Sequence, residues 1–159
     1  MRDVIGTPPV HPALLVAGKI GFGIPWLVLG LRLAGTDPLG VTVRAARIPA
    51  AAAALVGAGL VVSSLVRLGS GARVGLPPDA AETILATGGP YRCSRNPVYA
   101  GAILGCIASC IYVPHPVNIV STIAAALIHH RVVLAEERFL EERFGDEWRD
   151  YRLRVRRYL

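Results

Sequence analysis

The segment ATGGPYRCSRNPVYAG, residues 86–101, decides how this chain is organised, because it is a polar insertion between apolar stretches. Glycine, proline, arginine and tyrosine crowd into these sixteen residues. Glycine and proline favour turns, and arginine and tyrosine supply polar and aromatic side chains that can hold a ligand. The pattern predicts a polar loop between membrane helices.

Composition places the chain among membrane proteins. Its 159 residues suffice for one domain, 53% of them are hydrophobic, and the mean hydropathy is +0.49. The formal net charge is +6, but the basic residues cluster at the ends of apolar stretches, as in membrane flanks. No nucleic-acid-binding motif is found in the sequence. We therefore expect a lipid bilayer and no nucleic acid as partner.

Four apolar runs predict the fold class. They cover Ala13–Gly35, Ile48–Gly69, Val98–Val113 and Val117 to about Leu134. A helix needs about 20 residues to cross a bilayer, and the two shorter runs are joined by a turn at Pro114–Pro116 as a tight hairpin. We predict an all-α integral membrane protein with about four transmembrane helices and a cytoplasmic C-terminal helical cap. Residues 1–159 form one domain, in which 1–68 hold two N-terminal helices.

The arginines predict the orientation. If the polar segment and the charged tail lie on one side, thirteen arginines lie there and three lie opposite. The three are Arg32, Arg44 and Arg47. Because arginine is retained on the cytoplasmic side, we predict a multi-pass protein with both termini cytoplasmic. The polar segment and the tail then meet at the same membrane face.

The tail from residue 135 to 159 begins with two carboxylates next to a membrane helix. Glu136 and Glu137 form a solvated helix start with local salt bridges, or one of them binds a cationic or hydroxyl-rich ligand above the polar segment. Gly145 is expected to end this helix, and a second helix runs through Trp148 and Tyr151. We expect Trp148, Tyr151 and Tyr158 at the membrane surface and the terminal arginines near anionic lipid headgroups.

Cysteine spacing gives no strong indication of a metal. Cys106 and Cys110 share one helical face within an apolar run, and the sequence has no CxxC. We interpret both as packing residues, with a metal-binding pair as the alternative, and we predict no metal site.

Two motifs at fixed spacing resemble the isoprenylcysteine carboxyl methyltransferase and phospholipid methyltransferase superfamily. The first is GGPYRCSRNPVYAG, residues 88–101, and the second is AEERFLEERFGDEWRDYRLRVRRYL, residues 135–159. The resemblance implies an integral-membrane enzyme that uses S-adenosylmethionine, with residues 69–159 as the cofactor-binding core. The matching positions are Gly89, Tyr91, Arg95, Asn96, Pro97, Tyr99, Glu136, Glu137, Leu140, Phe144, Gly145, Trp148 and Tyr151.

The resemblance also implies which residues hold the cofactor. The strip before the first motif contacts it largely through backbone, and the tyrosines, the NPVY tetrapeptide and the first carboxylate of the Glu pair contribute side chains. Arg95 or Arg92 suits the α-carboxylate of the cofactor, and a carboxylate such as Glu136 suits its α-ammonium or a ribose hydroxyl. The implied residues are Thr83, Ile84, Leu85, Ala86, Tyr91, Arg95, Asn96, Pro97, Val98, Tyr99, Glu136 and Glu137.

The resemblance leaves the methyl acceptor open. Isoprenylcysteine enzymes usually carry His at the position of Asn96, whereas phospholipid-methylating relatives also carry Asn there, and an amide cannot titrate near neutral pH. Our first hypothesis is an isoprenylcysteine carboxyl methyltransferase-like enzyme that acts on a lipophilic acceptor, with Arg131 binding an anionic group of that substrate. A phospholipid N-methyltransferase and a non-enzymatic membrane subunit of the same fold are the alternatives. The sequence identifies no catalytic residue and no oligomeric state.

Overall fold

The computed structural model describes residues 12–69 and 85–159, and all regular structure in these residues is helical. Short 3-10 helices at Arg44–Ala46 and Gly89–Arg92 precede the second and third α-helices. The predicted all-α class is confirmed for this part of the chain. The α-helices are α1 Pro12–Leu33, α2 Arg47–Leu68, α3 Pro97–Tyr112, α4 Pro116–Phe144 and α5 Asp146–Arg154.

Three of these helices, α1, α2 and α4, are long and apolar enough to cross a membrane. The candidate spans are Val16–Leu33, Arg44–Leu68, which joins the first 3-10 helix to α2, and Pro116–Phe144. The 16 residues of α3 rise only about 24 Å. That length is less than the roughly 30 Å hydrocarbon core of a bilayer. The structure thus supports a multi-pass arrangement, whereas the fourth crossing and the orientation of the termini stay predictions.

The outer surfaces of the long helices carry exposed aliphatic side chains seven residues apart. Seven residues are about two helical turns, so each set forms one stripe along its helix. Such continuous apolar surface is rare on soluble proteins and suits contact with lipid. The stripes are Ile20 and Leu27 on α1, Ile48, Leu55 and Val62 on α2, and Val120 and Leu127 on α4.

The short helix α3 lies at the centre and contacts α1, α2 and α4. Glycines allow this close packing of α2 against α3. A Cβ on Gly57 would lie 2.6 Å from the carbonyl oxygen of Gly101, and a Cβ on Gly101 would lie 2.5 Å from the carbonyl oxygen of Gly57. A Cβ on Gly105 would overlap the indole of Trp26 from α1. That indole donates a hydrogen bond to the carbonyl of Ala102 at 3.1 Å. Small residues therefore fix α3 against both N-terminal helices.

Helix α4 is longer than the apolar run that predicted it. Residues 135–144 continue the helix beyond Leu134 because they contain no proline or glycine and are mostly strong helix formers. Gly145, with φ of 52°, ends α4 and confirms the predicted break. Because about 20 residues suffice to cross the bilayer core, we expect the turns that carry Glu136 and Glu137 to project beyond it.

Candidate functional site

The polar segment forms a tight turn that leads into α3. Gly89 begins the 3-10 helix with φ of 60°, a backbone conformation that residues other than glycine rarely adopt. Asn96 occupies the N-cap position and Pro97 the first turn of α3, where a missing N–H costs nothing. The turn thus brings residues 95–99 against the end of α4 that carries the two glutamates.

Glu137 is the centre of a buried ionic network. Its Oε1 accepts hydrogen bonds from Nε of Arg95 at 3.1 Å and Nδ2 of Asn96 at 3.2 Å, and Nη2 of Arg95 lies at 3.1 Å. Its Oε2 lies 3.0 Å from Nε and 2.9 Å from Nη2 of Arg157. The Arg95 and Glu137 side chains are only 8% and 9% exposed. Two guanidinium groups and an amide therefore compensate this buried carboxylate.

Arg95 also ties the polar segment to the end of the chain. Its Nη1 donates to the backbone carbonyls of Arg152 at 3.1 Å and Val155 at 2.7 Å. The guanidinium carbon lies 5.8 Å from the ring centre of Trp148. Every nitrogen of the guanidinium thus contacts a protein group in this structure. Sequence reasoning had paired Arg95 with the cofactor carboxylate, and the structure brings it to Glu137 and the C-terminal backbone.

Glu136 faces a different set of partners from those of Glu137. The hydroxyl of Tyr99 donates to its Oε1 at 3.0 Å. Burial raises the pKa of Tyr91 above its ordinary value, and Tyr151 and the negative charge of Glu136 raise it further. Burial likewise raises the pKa of Tyr158. The positive charge of Arg157 opposes this rise, and the negative charges of Glu137 and Glu136 add to it. We call Glu136, Tyr91, Tyr99 and Tyr158 the Glu136 cluster, one carboxylate among neutral phenol rings.

The Glu136 cluster stands on an apolar and aromatic base. Tyr99 packs with Val132 and Val133 in a buried group against which Phe22 and Tyr158 also pack. His129, which is buried, stacks on Phe22 with ring centres 4.2 Å apart and lies 5.4 Å from the ring of Tyr99. This base lies where α1, α3 and α4 meet.

The donor chemistry of the Glu136 cluster suits an organic cation. A carboxylate and aromatic ring faces attract ammonium and sulfonium groups. Within residues 12–69 and 85–159, no group of three or more His, Cys, Asp or Glu side chains is arranged to hold a metal ion. Cys106 is fully buried, and Sγ of Cys110 lies 3.3 Å from Oγ1 of Thr122 between α3 and α4.

The structure brings six of the predicted site residues together. Thr83 and Ile84 lie outside the described residues, and Leu85 and Ala86 are half-buried. Pro97 is buried and Val98 half-buried in the first turn of α3, whereas Arg131 is exposed on α4. These six are the two glutamates and the four residues around them, namely Tyr91, Arg95, Asn96, Tyr99, Glu136 and Glu137.

The expectation that Trp148 and Tyr151 face the membrane surface is wrong. Their exposed fractions are 1% and 3%. The hydroxyl of Tyr151 donates to the carbonyl of Tyr91 at 2.6 Å, and the two aromatic rings of α5 lie 5.6 Å apart. Because α5 folds back onto the 3-10 turn, these side chains fasten the tail to the polar segment.

Sequence reasoning missed the roles of Arg157 and Tyr158. It placed both at the membrane surface as part of the charged end of the tail. The structure instead brings Arg157 to Glu137 and Tyr158 to the Glu136 cluster. Charge complementarity between the last arginines and the glutamate pair is the only sequence signal for this, and it does not single out one arginine.

Comparison with known families gives one match. The family model described as PEMT, phospholipid methyltransferase, matches residues 45–147, more than half of the chain. The matched range contains the polar segment, the glutamate pair and helices α2, α3 and α4. Neither the curated proteins nor the solved structures include a match.

Proposed function

This chain belongs to the phospholipid methyltransferase family, and we propose that it transfers a methyl group from S-adenosylmethionine to a lipophilic acceptor at the membrane surface. The observation that carries the proposal is the Glu136 carboxylate, which accepts a hydrogen bond from Tyr99 where Tyr158 also packs, at the end of a long apolar helix. S-adenosylmethionine supplies a methyl group activated by a positively charged sulfonium, and it also carries an ammonium group. The cluster offers the charge and ring faces that attract both cations.

The residues of the chain divide into two roles in this proposal. Glu136 holds a cationic group, and the hydrogen bond from Tyr99 fixes its carboxylate. Tyr91 and Tyr158 stay neutral and restrict water around the charge. Arg95, Asn96 and Glu137 form the rigid wall behind the cluster. The strip at 83–86 and the backbone of 96–99 remain our candidates for contacts with the cofactor.

The acceptor would enter from the bilayer. The base of the Glu136 cluster is apolar and lies at the junction of α1, α3 and α4, of which α1 and α4 carry outer apolar stripes that suit lipid. Two chemical classes of acceptor suit this arrangement. A prenylcysteine carboxylate is already a nucleophile, and Arg131 at the exposed surface of α4 is our candidate for binding it. The family description favours the second class, a phospholipid amine. We place the reaction at the cytoplasmic face, as the arginine distribution predicts.

Transfer of a labelled methyl group tests the proposal. The full chain in lipid nanodiscs would receive S-[methyl-³H]adenosylmethionine with total lipid extract or with a prenylcysteine analogue. We expect label in one acceptor fraction with the unmodified chain and with Glu142→Ala, which changes an exposed carboxylate on the same helix. Glu136→Ala should lose most of the transfer.

The distribution of label separates the candidate functions. Label in phospholipid identifies the amine acceptor, and label in the prenylcysteine fraction identifies the carboxylate acceptor. Absence of label from both fractions, together with no saturable binding of S-adenosylmethionine, would refute the proposed methyltransferase activity. The non-enzymatic membrane subunit would then be the remaining hypothesis.

A further inference from the structure

The last residues of the chain form a strap across the polar segment. Val155 leaves α5 with extended backbone angles, φ of −124° and ψ of 135°. The backbone N–H of Arg95 donates to the carbonyl of Arg156 at 2.8 Å, and the side chains of Ser94 and Asn96 each donate to the carbonyl of Arg157 at 3.2 Å. We call residues 155–158 the C-terminal strap. Its backbone is thereby fixed to the start of α3.

Arg157 fixes the strap to α4 as well. Both Nε and Nη2 contact Oε2 of Glu137, and this hydrogen bonding raises the pKa of the Arg157 guanidinium above its ordinary value. The adjacent Arg156 has an exposed side chain and contributes its backbone carbonyl to the strap. Two neighbouring arginines of equal charge therefore differ in whether the guanidinium holds the strap.

Tyr158 follows Arg157 and reaches the Glu136 cluster. Its ring packs against the buried group that contains Tyr99, and its hydroxyl lies 3.0 Å from Nδ1 of His130. His130 and Glu137 are seven residues apart, so they lie on one face of α4 about two turns apart. The side chains of Arg157 and Tyr158 thus hold the strap along this face, beside Glu136.

We propose that Tyr158 is a cofactor-binding residue that forms one wall of the Glu136 cluster, and that Arg157 is the positioning residue that holds it there. The inference rests on the proposed function, because it assigns the ligand of the cluster to S-adenosylmethionine. It adds the penultimate residue of the chain, which lies beyond the range of the family match, to the site. The phenol ring carries this role, while the hydroxyl bonded to His130 is secondary.

Binding of S-adenosylhomocysteine to the full chain in nanodiscs, measured by isothermal titration calorimetry, tests the inference without turnover. Loss of charge-assisted hydrogen bonds predicts a dissociation constant raised by about tenfold or more in Arg157→Ala, and loss of the ring predicts a similar change in Tyr158→Ala. Arg156→Ala is the matched control and should change affinity by less than about twofold, whereas Tyr158→Phe is the conservative variant, which keeps the ring and should recover most of the affinity that Tyr158→Ala loses. The dissociation constant of Arg157→Lys should lie between those of the unmodified chain and Arg157→Ala, because lysine keeps the positive charge but cannot form the bidentate contact of a guanidinium.

The outcomes separate the inference from the proposed function. Wild-type affinity in both Arg157→Ala and Tyr158→Ala, with weakened binding in Glu136→Ala, would overturn the role of the strap and leave the proposed function standing. No saturable binding by the unmodified chain would overturn both. If the thermal unfolding midpoint shows that Arg157→Ala does not fold, the affinities of Tyr158→Ala and Tyr158→Phe are compared instead. Equal affinity in those two variants would overturn the inference.

Discussion

Replacing Arg95 by alanine should cost more stability than any exposed substitution in this chain. The change leaves the Glu137 carboxylate buried with Arg157 and Asn96 as its remaining partners. It also removes the donor to the carbonyls of Arg152 and Val155. Removing one partner of a buried ion pair costs about 3–5 kcal/mol, out of a total stability of about 5–15 kcal/mol for a typical domain. We expect a loss of about 4 kcal/mol in the free energy of unfolding, at the middle of the first range.

Denaturant-induced unfolding in detergent micelles measures this loss through tryptophan fluorescence, because Trp148 lies next to the Arg95 guanidinium. Arg92→Ala is the control, since it removes an exposed arginine from the same segment and should change stability by less than about 0.5 kcal/mol. A loss below about 1 kcal/mol in Arg95→Ala would refute the reasoning, because it would mean that the buried network contributes no more than a surface contact.

Two further substitutions test the helix packing and the tail. Gly105→Val should lower the thermal unfolding midpoint, with an overpacking cost of about 3 kcal/mol against Trp26, whereas Gly59→Val meets open space and should not. Equal midpoints would contradict the close approach of α1 and α3. Burial raises the pKa of Tyr151 from 10.0 to about 12, so the folded chain keeps a proton that the unfolded chain loses. The contribution of the protonated Tyr151 to stability is complete below pH 10 and falls as the pH rises to 12. The thermal unfolding midpoint of Tyr151→Phe should therefore fall less steeply between pH 10 and 12 than that of the unmodified chain. Parallel curves for the two proteins would contradict the assignment.

The helices could be read from the sequence because their limits depend on local residues. Prolines at 114 and 116 separate α3 from α4, and Gly145 separates α4 from α5. The length of α4 could not be read from hydropathy, since the apolar run ends near Leu134 while helix propensity and the contacts of Glu137 carry the helix further.

The assignment of partners within the site could not be read from the sequence. The family resemblance implies one site for Tyr99 and the glutamate pair, and the structure places Tyr99 in hydrogen-bonding contact with Glu136. Many arginines could pair with Glu137, and the choice of Arg95 and Arg157 depends on how α5 folds back. Trp148 was misplaced for the same reason, because an aromatic residue suits a membrane surface and a buried tail contact equally well.

Calorimetric titration of the purified chain with S-adenosylmethionine, compared with Glu136→Gln, tests the central claim most directly. Glutamine keeps the shape of Glu136 and removes its charge, so the comparison isolates the attraction between the carboxylate and a cationic ligand. We predict saturable single-site binding by the unmodified chain and a dissociation constant raised by about tenfold or more in the variant. No saturable binding by the unmodified chain, or equal affinity in both proteins, would contradict the account.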